Sequence, residues 1–494
     1  MSAAGKKNPR KIAPLVISAR LIGHVTLETR ADGNVVARFD GNAVGMGRFG
    51  SAVLSRLHEL RAGMPLASFT GRADKETDLL VRRLARSGFV EYRLTPARAN
   101  RDVIVIEPQM QDYWPQAAKL GNSDIVVLSR FAYLRRRGQD MVLESPRSGA
   151  LFRICDSKIA ASLARLASPQ KIGELRKSPG FPGMEIVALL LDCQMLFKVD
   201  SERNDNLRLA EGDGDLALWD FHDLLFHTRS TEGRQANPVG GVYPGAGLIP
   251  LPPAVRPTWP GEKIGLISED SPSVETPSDF AKLLIERHST RDFDDARPIT
   301  LVELGRFLGR AARVRSKWTG GAGTEGAASE ESYALRPYPS GGAAYELELY
   351  LTVANCDGLA RGFYHYDADQ HALTRINVHS QQIDAQLVAA QSAMGIEAVP
   401  QVLITIAGRF GRVAWKYSSV AYSLILKDVG VLLQTLYLTA TDLGLGGCAI
   451  GTNDIDLFSK ITGLQFHVEG PVGQFALGRG KPESGPLSRG FPQS

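Results

Sequence analysis

The sequence predicts an α+β protein with a two-part basic N-terminal half and a larger C-terminal domain. Three observations carry this reading. A strand–helix–strand order recurs within the first 200 residues, a Pro/Gly-rich stretch with nine prolines runs from Pro238 to Pro277, and helical and strand patterns alternate beyond it. The expected boundaries are 1–100 and 101–205 for two modules, 206–276 for a helix plus connector, and 277–494 for the last domain. With 494 residues, 44% hydrophobic and 22% charged, the chain has material for more than one core, which excludes a mostly disordered protein.

In the first module, Leu15–Ile17 and Val25–Leu27 are short β-rich runs, and Asn34–Phe39 alternates after the turn signal Asp32-Gly33. A helix begins near Gly50, and another runs from about Lys75 to Arg86 with Leu79, Leu80 and Leu84 inward. It stops at Ser87-Gly88, and Phe89–Leu94 alternates as a strand. Helix, glycine stop and alternating strand form the close of a winged-helix-like module. The order returns in the second module: strands at Ile125–Leu128, Phe131–Leu134 and Met141–Leu143, helices at Lys158–Leu166 and Met184–Leu191, and a closing strand at Met195–Val199. A helix around Trp219–Phe226 then leads into the connector.

The last domain opens with a helix from Ser278 to His288. A second starts at Leu301 behind Thr300 as N-cap, with Glu303 three residues on. Trp318–Glu331 is rich in Gly, Ala and Ser and reads as a loop. Tyr345–Val353 and Val402–Ala407 are strands, the second a near-continuous apolar run suited to the middle of a sheet. Val420–Leu443 is a long helix, apolar nearly all round, which predicts burial, often at a subunit interface.

Residues 1–200 hold 31 Lys and Arg against 19 Asp and Glu, and the remainder 26 against 34. Opposite signs in the two halves suit separate modules, the first matched to an acidic partner. The four cysteines form no CxxC and stand near no His cluster, so no metal site and no disulfide framework is expected. No uninterrupted apolar run approaches the ~18–20 residues of a membrane span, and the start lacks a secretory apolar core. A cytoplasmic location is expected.

Four C-terminal segments concentrate polar residues in apolar surroundings. In Glu286–Arg291, the side chains of Arg287, Ser289 and Arg291 share one face of an extended segment, and two guanidiniums with a hydroxyl suit a phosphate. In Arg336–Gly342, Pro337 and Pro339 stiffen the chain, while Ser340, Gly341 and Gly342 allow close approach to a planar ligand. In Trp415-Lys416-Tyr417, an ammonium beside a phenol can stabilise phenolate and give a base. In Gly444–Gly451, glycines 446 and 447 with Cys448 and Ala449 present backbone N–H groups, and Arg479 in Leu477-Gly478-Arg479 offers another cation.

In this order the four segments resemble the FMN-dependent nitroreductase fold. More narrowly, they resemble the SagB/ThcOx-type azoline dehydrogenases, the oxidases of thiazole/oxazole and cyanobactin-like peptide biosynthesis. The resemblance covers roughly Pro277 to Pro482 and continues upstream through Trp219–His222, Phe226–Ser230 and Gly233-Arg234, with Gly362–Asp367 as a further matching segment. The long helix departs from the family pattern at Val420, Ser423, Val431 and Thr435, where members carry two Arg, a His and an Asn.

The resemblance implies a nitroreductase-like FMN domain preceded by two tandem winged-helix-like modules that recognise a leader peptide. It implies that Arg287, Ser289 and Arg291 hold the FMN phosphate and ribityl, and that Arg479 adds a phosphate contact. Pro339, Ser340, Gly341 and Gly342 would approach the flavin from the partner subunit of a homodimer. Gly446, Gly447, Cys448 and Ala449 would line the isoalloxazine, and the Lys416-Tyr417 pair would be catalytic, in either order of roles. The implied reaction oxidises an azoline-containing precursor peptide to the azole, with a cyclodehydratase as an upstream partner. Two other readings stay open: a flavin oxidoreductase acting on small molecules, and a flavin-sensing DNA-binding regulator. Against the regulator, Lys75–Arg86 mixes acidic with basic residues, and Met184–Leu191 has no basic residue.

Overall fold

The computed structural model describes residues 14–66, 72–97, 101–111, 113–178, 181, 183–200, 206–234, 236, 239–258, 260–266, 278–321 and 330–481. The chain divides into two units, Met1–Asn237 and Pro238–Ser494. The expected 206–276 segment is therefore split. Its helical part belongs to the first unit and its proline-rich part to the second, and residues 267–277, with the expected domain start at Pro277, lie outside the described residues.

In the first unit, strand-forming runs from both expected modules join one antiparallel sheet. Its order is Met64–Pro65, Leu15–Leu21, Val90–Pro96, Ile104–Pro108, Ala150–Ile154, Asp140–Glu144 and Tyr133–Arg137. One apolar core runs from Leu15 to Leu196, so residues 1–100 and 101–205 are not separate cores. Helix Arg72–Arg86 buries Leu80, Val81 and Leu84 on one stripe, whereas Leu79 lies off that stripe and is 45% exposed, contrary to the sequence expectation. Helix Met184–Asp192 buries five consecutive residues from Ile186 to Leu190 and feeds strand Leu196–Val199. The Trp219 region is tied to the same unit. Arg130 donates to the carbonyls of Trp219 and Leu216 at 2.8 and 2.7 Å, and the buried Glu211 carboxylate receives Arg130 at 3.1 Å.

The second unit is built on a six-stranded antiparallel sheet. Its order is Ala372–Ile376, Gly362–Asp367, Leu347–Val353, Val402–Arg409, Glu469–Gly478 and Gly446–Ile450. Val402–Arg409 is central and buried along seven of its eight residues, as its apolar run predicts. Thr300 and Glu303 form the expected capping box of helix Leu301–Ala311. The expected loop at 318–331 proves to be a hairpin: Ser316–Gly321 pairs with Glu330–Leu335, and Trp318 stacks on Tyr333 at 5.5 Å. Residues 322–329 lie outside the described set.

Helix Ala421–Asp442 is long and apolar enough to cross a membrane by length and composition, although no uninterrupted apolar run within it reaches that length. It packs a stripe of Ala421, Tyr422, Ile425, Val429, Leu432, Leu436 and Ala440 inward. Only a third of its most apolar stretch is buried within the chain itself. The remaining face, including Val420 and Val431, is open.

Candidate active site

The helix Asp279–Glu286, capped by Ser278, ends one residue before Arg287. The chain then runs extended, and Arg287, Ser289 and Arg291 are half-buried while His288 is exposed. Thr290 N–H donates to Gly447 O at 2.8 Å, which docks this segment on the edge of strand Gly446–Ile450. Tyr437 of the long helix is the hub. Its Oη lies 2.8 Å from Ser289 Oγ and accepts Ala449 N–H at 2.8 Å, and the Arg287 guanidinium sits 5.1 Å from its ring centre. Two of the four expected segments, 287–291 and 446–449, thus converge on one side chain that the sequence reading did not single out.

The glycines of that strand serve the protein's own packing. A Cβ on Gly446 would meet Thr290 Cγ2 at 2.5 Å, and one on Gly447 would enter the Phe475 ring. Burial pushes the Cys448 thiol up while the Arg291 cation opposes the shift, so the thiol is neutral near pH 7. Arg287 and Arg291 have no acidic partner among the described residues. Two half-buried guanidiniums and a hydroxyl on one face, with no carboxylate to neutralise them, fit a phosphate monoester such as that of FMN. Arg479 differs. Its Nη2 meets both Glu303 oxygens at 2.7 Å and its Nε donates to Arg297 O at 3.1 Å, so its charge is matched within the chain. That pairing, first among several causes, holds the Glu303 carboxyl below its ordinary range.

The other two segments meet at a second place. Ser340 Oγ lies 2.9 Å from Asp428 Oδ2, and Gly341 N–H donates to the same oxygen at 2.9 Å. Pro339 is exposed at the start of this turn. Gly342 has φ of 62°, and a Cβ there would strike the Tyr417 hydroxyl. The phenol therefore stands directly over Gly342. Lys416 is exposed, with its Nζ 5.8 Å from the Tyr417 ring centre and 5.7 Å from that of Tyr333.

The two places lie on different sides of the long helix. Asp428 and Tyr437 are nine residues apart, so at ~1.5 Å and ~100° per residue they sit about 13.5 Å apart and on opposite faces. One chain supplies an anion cradle and a Lys–Tyr turn, but it does not bring them to one side.

Residues 126–236 match the cyanobactin oxidase ThcOx family and residues 284–479 match the nitroreductase family. A putative nitroreductase of Methanocaldococcus jannaschii is 29% identical over 182 residues, covering 36% of this chain and 83% of the relative. Among solved structures, a putative nitroreductase from Anabaena variabilis aligns at 21% identity and TM-score 0.30 over 41% of this chain, which spans only 36% of that chain. A chain of the Escherichia coli microcin synthetase McbBCD complex with truncated pro-MccB17 bound aligns at 19% identity and TM-score 0.39, covering 55% of this chain and 97% of that one. A Bacteroides fragilis nitroreductase with bound FMN aligns at 14% identity and TM-score 0.26, covering 44% and 96%.

The nitroreductase match over residues 284–479 and the cradle within it give the class: an FMN-dependent oxidoreductase. Within that class, the chain carries the cyanobactin oxidase segment ahead of its nitroreductase domain. That segment spans the strand–helix elements from Val126 onward and the Trp219 region tied to them.

Removing both cradle cations should weaken FMN binding sharply. Each charge-assisted contact is worth ~1.5–3 kcal/mol, roughly ten- to a hundredfold in Kd. Arg287→Ala and Arg291→Ala should each show this loss in a fluorescence titration with FMN, and the double variant should purify colourless. Arg479→Ala should bind FMN nearly as the native chain does, because its charge already serves Glu303.

Proposed function

We propose that the chain oxidises the azoline rings of a ribosomally made precursor peptide to azoles. The observation that carries this reading is the Lys416-Tyr417 pair packed on Gly342, in a chain that also holds an unneutralised phosphate-type cradle. The cyanobactin oxidase match over 126–236 supports a peptide as the substrate. Bound FMN supplies the hydride acceptor. Tyr417 takes the ring α-proton at its Oη with the Lys416 ammonium beside it, or the two exchange these roles. The turn at Ser340–Gly342 fixes where the phenol stands, and Arg287, Ser289 and Arg291 hold the phosphate end of the cofactor.

The open face of the long helix, with Val420 and Val431, belongs against a second copy. Phe280, Leu284 and Ile285 are exposed apolar side chains on helix Asp279–Glu286, which packs against the long helix. A homodimer is the reading that puts the cradle of one chain opposite the Ser340–Gly342 turn of the other. The assay is mass spectrometry of an azoline peptide incubated with the FMN-loaded chain, in which each oxidised ring loses two hydrogens. NAD(P)H consumption with a nitroaromatic, without azoline oxidation, would replace this reading by that of a small-molecule reductase.

The first unit recruits the leader of that peptide through winged-helix-like elements. An open groove of about 650 Å³ is lined by Val16, Ile17, Lys75, Arg82 and Trp114, among others. Among the described residues, strand Met64–Pro65 pairs with Leu15–Leu21 at Ser18 and Ala19, and a leader strand would add along residues 15–17 of that edge. Arg82 is spent on Asp78 at 2.8 Å and on the Trp114 ring, and Arg83 donates to Met46 O, an arrangement better suited to a peptide than to a nucleic-acid backbone. In the intact chain, Lys75→Glu should lower kcat/KM for a leader-bearing azoline roughly tenfold and leave a leaderless one unchanged. Equal loss on both substrates would remove the groove from recruitment.

A further inference from the structure

Glu346 sits at the entry to strand Leu347–Val353 with none of its surface exposed. A carboxylate there has lost its water and requires a cation or several donors in return. It has neither. Its Oε2 lies 3.1 Å from Ser340 Oγ, and its Oε1 is buried without a hydrogen-bond partner. The arginines on the surrounding elements serve other groups: Arg336 and Arg409 each lie 3.7 Å from Glu348, and Arg412 Nε donates to Ala344 O at 3.1 Å. The remaining titratable neighbours are Asp428 of the long helix and the buried Tyr338.

Ser340 Oγ accepts Tyr345 N–H at 3.0 Å and lies within reach of both Glu346 and Asp428. A hydroxyl has one proton, so it cannot donate to two carboxylates at once. Asp428 Oδ2 already accepts Gly341 N–H, and the Ser340 proton completes a second bond to that same oxygen. Glu346 is then the carboxylic acid, donating to Ser340 Oγ, while the Ser340 proton goes to Asp428. This assignment satisfies the serine completely, with two bonds accepted and one donated. Burial first, and the Asp428 charge among the lesser causes, push the Glu346 carboxyl up to about 7. The bonds converge on a turn that needs holding, since Gly342, Ala343 and Tyr345 all stand at positive φ of 62°, 54° and 46°.

We propose that Glu346 is a positioning residue: a buried acid that, while protonated, clamps Ser340 and the 340–342 turn beneath Tyr417 and releases them on ionising. The inference rests on the role given to Tyr417 above. FMN-loaded native, Glu346→Gln and Ser340→Ala chains should be compared from about two pH units below 7 to two above it. Native kcat/KM on an azoline peptide should fall on the alkaline side with a midpoint about 7, by roughly tenfold per pH unit beyond it. Glu346→Gln, whose amide donates to Ser340 without ionising, should keep the acid-side rate and lose that limb. Ser340→Ala should be slower throughout. An alkaline limb unchanged in Glu346→Gln overturns the proposal.

A melting comparison needs no substrate. The folded carboxyl is raised above its ordinary 4.5, so its contribution to stability is complete below that value and is lost as pH rises through about 7. Glu346→Gln should therefore gain in Tm relative to the native chain across that window. A difference in Tm that stays constant with pH overturns the ionisation itself. If the native chain oxidises no azoline at any pH, the reading of Tyr417 fails, and the melting comparison alone decides Glu346.

Discussion

Tyr417→Phe should bind FMN at about one per chain and yet turn over an azoline peptide ~10²–10⁴-fold more slowly, the usual loss for a general base. The substitution removes one oxygen and leaves the ring that packs on Gly342. A loss of rate with normal cofactor content therefore reports on the proton and not on the fold. Lys416 is exposed and stands 5.8 Å from the ring centre, so Lys416→Ala should also fold and bind FMN while losing most turnover. Tyr417→Phe retaining near-native kcat would take the phenol out of the chemistry. If Tyr417→Phe keeps substantial rate and Lys416→Ala abolishes it, the ammonium's own nitrogen becomes the proton acceptor and the phenol its partner.

The same residues show what was readable in the chain and what was not. Arg287, Ser289 and Arg291 could be picked out because alternation is a local property, and all three are half-buried in the extended segment, as is Thr290 between them. Tyr437 could not, although three groups converge on it: it lies in an apolar helix, and no local pattern says which loop meets which face. Asp428 and Glu346 were hidden for a related reason. Neither carries a local signal of its partner, Glu346 alternating with Glu348 at the entry to a strand and Asp428 following Lys427 in a helix, and only the turn at Ser340 brings them together. Arg479 read as a free cation because its partner Glu303 stands 176 positions away. The Trp318–Tyr333 hairpin was masked by glycine and alanine, whose composition signals a loop even where cross-strand pairing supplies the order. Strand and helix positions survived these failures, since Asn34–Phe39 and Ile125–Leu128 match to the residue. Period and turn chemistry fix elements, whereas long-range electrostatics fixes sites.

Complementation between two dead variants should restore activity that neither has alone. One carries Arg287→Ala with Arg291→Ala and lacks the cradle. The other carries Tyr417→Phe and lacks the phenol. If the two halves of a working site come from different chains, a mixed dimer holds one site with both defects and one site with neither. Random exchange makes about half of all dimers mixed, so the mixture should recover roughly a quarter of native turnover. A site contained in one chain allows no recovery, because every chain in the mixture then carries its own lesion. The expectation follows from the opposite faces of the long helix that Asp428 and Tyr437 occupy. A ligand bound at Tyr437 is turned away from the Gly342–Tyr417 turn of its own chain, and the exposed face of the helix, with Val420, Ser423, Lys427, Val431 and Gln434, remains open for a second copy to bring its turn across. Subunits must be exchanged by mild denaturation and refolding with FMN, with the native chain taken through the same cycle as the reference. Recovery that scales with the product of the two variants' concentrations would establish the shared site, and its complete absence, with mixed dimers verified by mass, would place the whole reaction within one chain.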